Sequence, residues 1–172
     1  MTKPHEVGLG DWNQMVVQFH TESDRGAAII AGSFTEHALG TYLAHRVANK
    51  ALAEKLFGPV GPLSSFSQRI AVAYAFGQVT QQQYQDFEAI RQARNHFAHH
   101  PLDASFDSPE VQKHVAKTSV YRDKDIMQHH STASAKHRAA YLLTCGMLCG
   151  RLLDTIEQDM KSATQRPRKG AK

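Results

Sequence analysis

The chain has 172 residues, 41% of them hydrophobic, and a formal net charge of +4 with a pI near 9.1. That length holds one domain with a sizeable core and not two comfortable ones; no apolar run approaches the ~20 residues of a membrane span, and the polar first ten residues do not read as a secretory leader, so the expected compartment is the cytoplasm, with no membrane partner. The charge is unevenly placed: residues 161–172 hold Lys161, Arg166, Arg168, Lys169 and Lys172 and no acid, which leaves residues 1–160 at −1 (+4 less +5) and gives no sign of a basic nucleic-acid face on the folded body.

Apolar side chains Val16, Val17 and Phe19 predict a first helix over residues 11–20. A long second helix starts at Ser23 or Asp24, both good N-caps, and runs to about residue 47. Its apolar positions Ala27, Ile30, Ala31, Phe34, Ala38 and Tyr42 recur at three and four residues. Gly26 and Gly32 each weaken that helix by about 1 kcal/mol relative to Ala, which is sensible only where another backbone packs close. A short piece over 50–57 leads into Gly58-Pro59-Val60-Gly61-Pro62, a defined turn. Ser64 or Ser65 caps a third major helix through Ile70, Ala73, Tyr74 and Gly77. Thr80 with Gln83 forms a capping box for a fourth, which Pro101 ends near His99.

After a loop over 102–107, Ser108-Pro109-Glu110 opens a short helix that fades near Lys117. Residues 118–132 read as a polar surface connection. The last helix spans about 133–161, with Leu142, Leu143, Met147, Leu148, Leu152 and Ile156 on one broad face. The expectation is therefore an all-α, compact up-and-down bundle of about five to seven helices with no β-sheet of note. A domain over 1–161 is followed by a basic, disordered tail over 162–172.

Cys145 and Cys149 sit one helical turn apart and read as buried small hydrophobes. A disulfide there would restrain little, and zinc lacks a second ligand pair. Eleven histidines, among them His96, His99, His100, His129 and His130, include no HExxH arrangement, so helix-end and surface roles are preferred to a metal site. No cofactor is expected.

Three stretches carry most of the information: Glu22-Ser23-Asp24-Arg25-Gly26-Ala27-Ala28; Leu56-Phe57-Gly58-Pro59 continuing through Gly61-Pro62-Leu63-Ser64-Ser65-Phe66-Ser67-Gln68-Arg69-Ile70; and Ile90-Arg91-Gln92-Ala93-Arg94-Asn95-His96-Phe97-Ala98-His99. In that order the chain resembles the mannitol operon repressor (MltR) family over roughly residues 10–160. The resemblance implies an all-α regulator of sugar-alcohol utilisation that lacks an identifiable DNA-binding module. It is not an enzyme on this reading, and its partner is a protein. The best helix-turn-helix candidate, residues 64–99, has apolar residues around much of its first helix and an uncharged Gln81-Gln82-Gln83 start to its second. A capped core helix is the better description, and nucleic acid would not be met through a recognised motif.

The third stretch also resembles, in Arg94-Asn95 followed by His99, the R-[polar]-x3-H pattern of HEPN bundles, which implies a metal-independent ribonuclease, toxin or RNA binder. In that alternative His99 exchanges protons with a ribose hydroxyl, Arg94 holds the phosphate and Asn95 orients His99. Arg94 and His99 lie about 140° apart around a regular helix, so a structural role is preferred. Glu22, Asp24, Arg25, Arg69, Arg91, Arg94, Asn95 and His99 form the candidate functional polar cluster, in which Asp24 or Glu22 is expected to pair with Arg94 or Arg91. Glycine-bearing long helices and HEPN-like bundles both suggest a homodimer.

Overall fold

The structure, a computed structural model, describes residues 21–128 and 132–165. The helix predicted over 11–20, His129 and His130, and the basic positions from Arg166 onward lie outside them. The described residues form eight helices and no strand: α1 (Asp24–Arg46), α2 (Lys50–Phe57), α3 (Phe66–Ala75), α4 (Gln81–His99), α5 (Pro109–Val115), α6 (Ser119–Arg122), α7 (Lys124–Met127) and α8 (Ala133–Gln165).

Local chemistry sets most of the boundaries. The Ser23 hydroxyl accepts from the Gly26 amide, and Ser65 and Thr80 open α3 and α4 with complete capping boxes to Gln68 and Gln83. Gly77, at φ +63°, closes α3 in the left-handed conformation that only glycine adopts without strain.

Three long helices carry the core. Contacts pair Ala28 with Tyr141, Thr35 with Cys149 and Arg46 with Asp159, so α1 and α8 run side by side in the same direction. Helix α4 packs against both and runs against α1, since Glu36 meets Arg94 while Tyr42 reaches Gln78. Phe97, Phe106 and Tyr141 form an aromatic chain at centroid spacings of 5.0 and 5.6 Å, and Phe66 meets Phe87 edge-on at 6.2 Å. Leu39, Ile70, Phe87, Ile90, Phe97, Phe106 and Tyr141 are all fully buried.

Four expectations need correction. Residues 118–127 are not a surface connection: they form α6 and α7, and Thr118, Val120 and Met127 are buried. Each helix is a single turn begun by a polar cap, Thr118 or Asp123, and too short to show apolar periodicity. On α8 the buried stripe is Tyr141, Cys145, Leu148, Cys149 and Leu152, whereas Leu143 and Met147 are each 43% exposed. On α1, Ile30 is likewise outward. The glycines of α1 accommodate side chains rather than a neighbouring backbone: a Cβ on Gly32 would lie 2.6 Å from the Tyr141 hydroxyl and 2.8 Å from Arg94 Cδ. This glycine's room is used inside the protomer and gives no support to a second copy.

By length and mean hydropathy, residues 133–162 also pass as a membrane span, although polar residues interrupt every apolar run within them. Nearly half of the qualifying window is buried, its apolar stripe facing α1, α4 and α6.

Candidate functional site

The polar residues singled out from the sequence fall into separate groups. At the start of α1, Asp24 pairs with Arg138 of α8 and accepts the Phe106 amide at 3.0 Å, while Arg138 also donates to the Glu22 carbonyl at 2.9 Å. The Asp24 carboxylate thus fastens the loop before α5 and the first turns of α8 to α1. Arg25, next to it, is partly buried.

Twelve residues along α1, or ~18 Å at 1.5 Å per residue, Glu36 forms a second junction. Its carboxylate pairs with Arg94 of α4 and lies 4.0 Å from Arg69 of α3. Arg69 donates through Nε to the Leu63 carbonyl at 2.8 Å, anchoring the Gly-Pro turn, and its guanidinium lies over the Phe57 ring. Burial lowers the Arg69 pKa, and Glu36 opposes that shift. Arg94 lies over Phe66. Gly40 leaves the space for Arg69, since a Cβ there would be 2.9 Å from its guanidinium.

The predicted pairing of Asp24 or Glu22 with Arg94 or Arg91 is therefore absent. The antiparallel approach of α4 brings Arg94 to the middle of α1, out of reach of its first turn. Arg91 instead holds Glu88 on its own helix at 2.8 and 3.1 Å. Asn95 is half-buried, and His99, the last residue of α4, is exposed beside the stacked rings of His96 and His100. Arg94 is thus committed to Glu36 while His99 faces solvent, an arrangement that does not assemble a proton-transfer pair within one chain.

Sequence reading passed over Asp86. It is 4% exposed on α4 and accepts from the Ser119 amide at 2.8 Å, the Ser119 hydroxyl at 2.7 Å and the Gln82 side chain at 3.2 Å. Gln82 in turn accepts from Arg122 at 2.8 Å. Beside this network a cleft of about 220 Å³ opens between α4, the α6–α7 pair and α8, lined in part by Gln83, Val120, Asp123, Met147 and Arg151. The available signal was an acid four residues after a glutamine in a run otherwise without charge, Gln81-Gln82-Gln83-Tyr84-Gln85-Asp86.

Both cysteines are free and buried. Burial pushes the Cys149 thiol up to about 12 and Cys145 higher still, so neither supplies a thiolate nucleophile near neutral pH. Among the described residues, no three His, Cys, Asp or Glu side chains gather as a metal site would require.

Residues 42–163 match the mannitol repressor family, MtlR. The chain belongs to that family. The match covers 122 of 172 residues (42 to 163 inclusive), from the end of α1 into the last turns of α8. Within the mannitol repressor match lie Arg69, Asp86, Arg91, Arg94, Asn95 and His99, whereas Glu22, Asp24, Arg25 and Glu36 precede it. No curated protein matches the chain.

Proposed function

We propose that this member of the mannitol repressor family regulates sugar-alcohol utilisation through contacts with another protein, without a DNA-reading helix of its own. The observation that carries this reading is the position of α4, the second helix of the best helix-turn-helix candidate. A recognition helix presents one polar, basic face to a groove. Helix α4 instead buries Asp86, Phe87, Ala89, Ile90, Ala93 and Phe97 and is packed by α1, α3, α5 and α8. Its two arginines are engaged by Glu36 and Glu88.

Two measurements test the reading. In cells lacking the protein, transcription of the mannitol operon is expected to rise without inducer and to fall again on complementation; an unchanged transcript would overturn the regulatory role. The purified chain is expected to leave operator DNA unretained at physiological salt, with or without residues 162–172, and specific retention would replace the protein partner with direct DNA binding. The ribonuclease alternative is tested by the same preparation. Intact RNA is expected, whereas chelator-insensitive cleavage lost in His99→Ala would establish catalysis by Arg94, Asn95 and His99.

A further inference from the structure

We infer that the cleft beside Asp86 binds an uncharged polyol of about six carbons; calling that ligand the effector rests on the regulatory reading above, whereas the binding itself does not. The volume sets the scale. A cleft of about 220 Å³ lies below the ~300–1,000 Å³ of sites for drug-sized ligands, which suits a small ligand of about a dozen heavy atoms.

The lining sets the chemistry. Val120 and Met147 supply apolar surface, while Gln83, Asp86, Asp123 and Arg151 supply acceptors and donors. A hydroxyl both donates and accepts, so a chain of hydroxyls can satisfy acceptor-only carboxylates and a donor-only guanidinium together, with its C–H edges against the apolar side. Two carboxylates against one guanidinium disfavour a phosphate or carboxylate ligand. A cation is disfavoured for a different reason. Asp86 already accepts three hydrogen bonds, and Asp123 accepts the Asp125 and Ile126 amides at 3.0 and 3.2 Å. Of about four lone-pair sites on each carboxylate only one or two are left, enough for single hydroxyl donors and too few to surround a cation.

The position gives binding a consequence. A ligand in this cleft touches α4, α8 and the two four-residue helices α6 and α7, which are too short to hold their own conformation. Occupancy ties residues 119–127 to the long helices and changes the surface offered there to a partner.

Calorimetric titration of the full chain with D-mannitol, mannitol 1-phosphate and putrescine is the test. Saturable binding of mannitol is expected, with the phosphorylated and diamine probes at least about tenfold weaker. Met147→Trp fills the cleft from a half-exposed position, and Arg151→Ala removes an exposed donor; each is expected to weaken mannitol by about tenfold or more, with the fold checked by circular dichroism. Should Met147→Trp fail to fold, Arg151→Ala still decides. Absence of mannitol binding, tighter binding of either charged probe, or unchanged affinity in the folded variants would overturn the inference. Binding without any transcriptional effect would remove the regulatory reading alone; a transcriptional effect without binding would remove this inference alone.

Discussion

The Glu36 junction and the Asp86 cleft are each built on a helical carboxylate, and they differ in what satisfies it. Glu36 is met by Arg94 and approached by Arg69, with Gly32 and Gly40 leaving room for the two arginine side chains, so that charge and volume are used up where three helices cross. Asp86 is satisfied by neutral donors, an amide, a hydroxyl and a glutamine, and beside it lies open volume lined by further polar groups. Arg94, the arginine of the HEPN-like pattern, is therefore held in the scaffold, while His99 faces solvent apart from it. Residues outside that pattern line the space a ligand would occupy. Proximity of reactive residue types along a sequence is weaker guidance than where the packed helices leave room.

The largest effect should come from the junction. Arg94→Ala strands a carboxylate that is 19% exposed, leaving only the 4.0 Å approach of Arg69, and should cost about 2–4 kcal/mol in urea unfolding. A smaller cost, about 1–3 kcal/mol, is expected for Gly32→Ala, whose new methyl would crowd the Tyr141 hydroxyl and the Arg94 stem. Tyr141→Phe removes one of the crowding atoms, so the glycine substitution should cost less in that background; equal costs would relocate the strain. At the cleft, Asp86→Asn exchanges one acceptor oxygen for a donor facing Ser119 or Gln82, and a loss of about 1–2 kcal/mol is expected, with α6 the first segment to lose amide-exchange protection.

These costs separate the two regions because much of the fold, and little of either site, could be read from the chain. The caps at Ser23, Ser65 and Thr80 act within three or four residues, so α1, α3 and α4 begin where local chemistry says they should. The rotation of α8 was not local information. Leu143 and Met147 are as apolar as Leu148 and Leu152, and only the parallel approach of α1 decides that Tyr141, Cys145 and Cys149 turn inward. Glu36 lies mid-helix with no neighbour in sequence to mark it; its partner is 58 residues away and is fixed by the antiparallel register of α4. Asp86 was hidden for a similar reason, since Ser119 lies in a stretch with too few apolar residues to predict as structured.

Alkaline pH offers a graded way to sharpen the contrast, because it acts on weak acids buried in the core. Burial raises the pKa of Cys145, Cys149 and Tyr141 above the ordinary values of 9.0 for the thiols and 10.0 for the phenol. Each of these groups is neutral when protonated and binds its proton more tightly in the folded chain. Their contribution is therefore complete below about pH 9 and is lost as pH rises toward 12, where Cys149 ionises in place. Stability should fall by about 2 kcal/mol from pH 9 to pH 10 in chemical denaturation, about half of it from each cysteine, and the slope should lessen in Cys145→Ala. A flat profile would mean that these groups are not desolvated.

The most direct test of the assignment of Arg94 to the scaffold is a double-mutant cycle in urea, using Glu36→Gln, Arg94→Gln and the two combined. A coupling energy of about 1 kcal/mol or more is predicted, and Asp24→Gln should add independently to Arg94→Gln. Additive Glu36 and Arg94 effects, or coupling of Arg94 to Asp24 instead, would contradict the account.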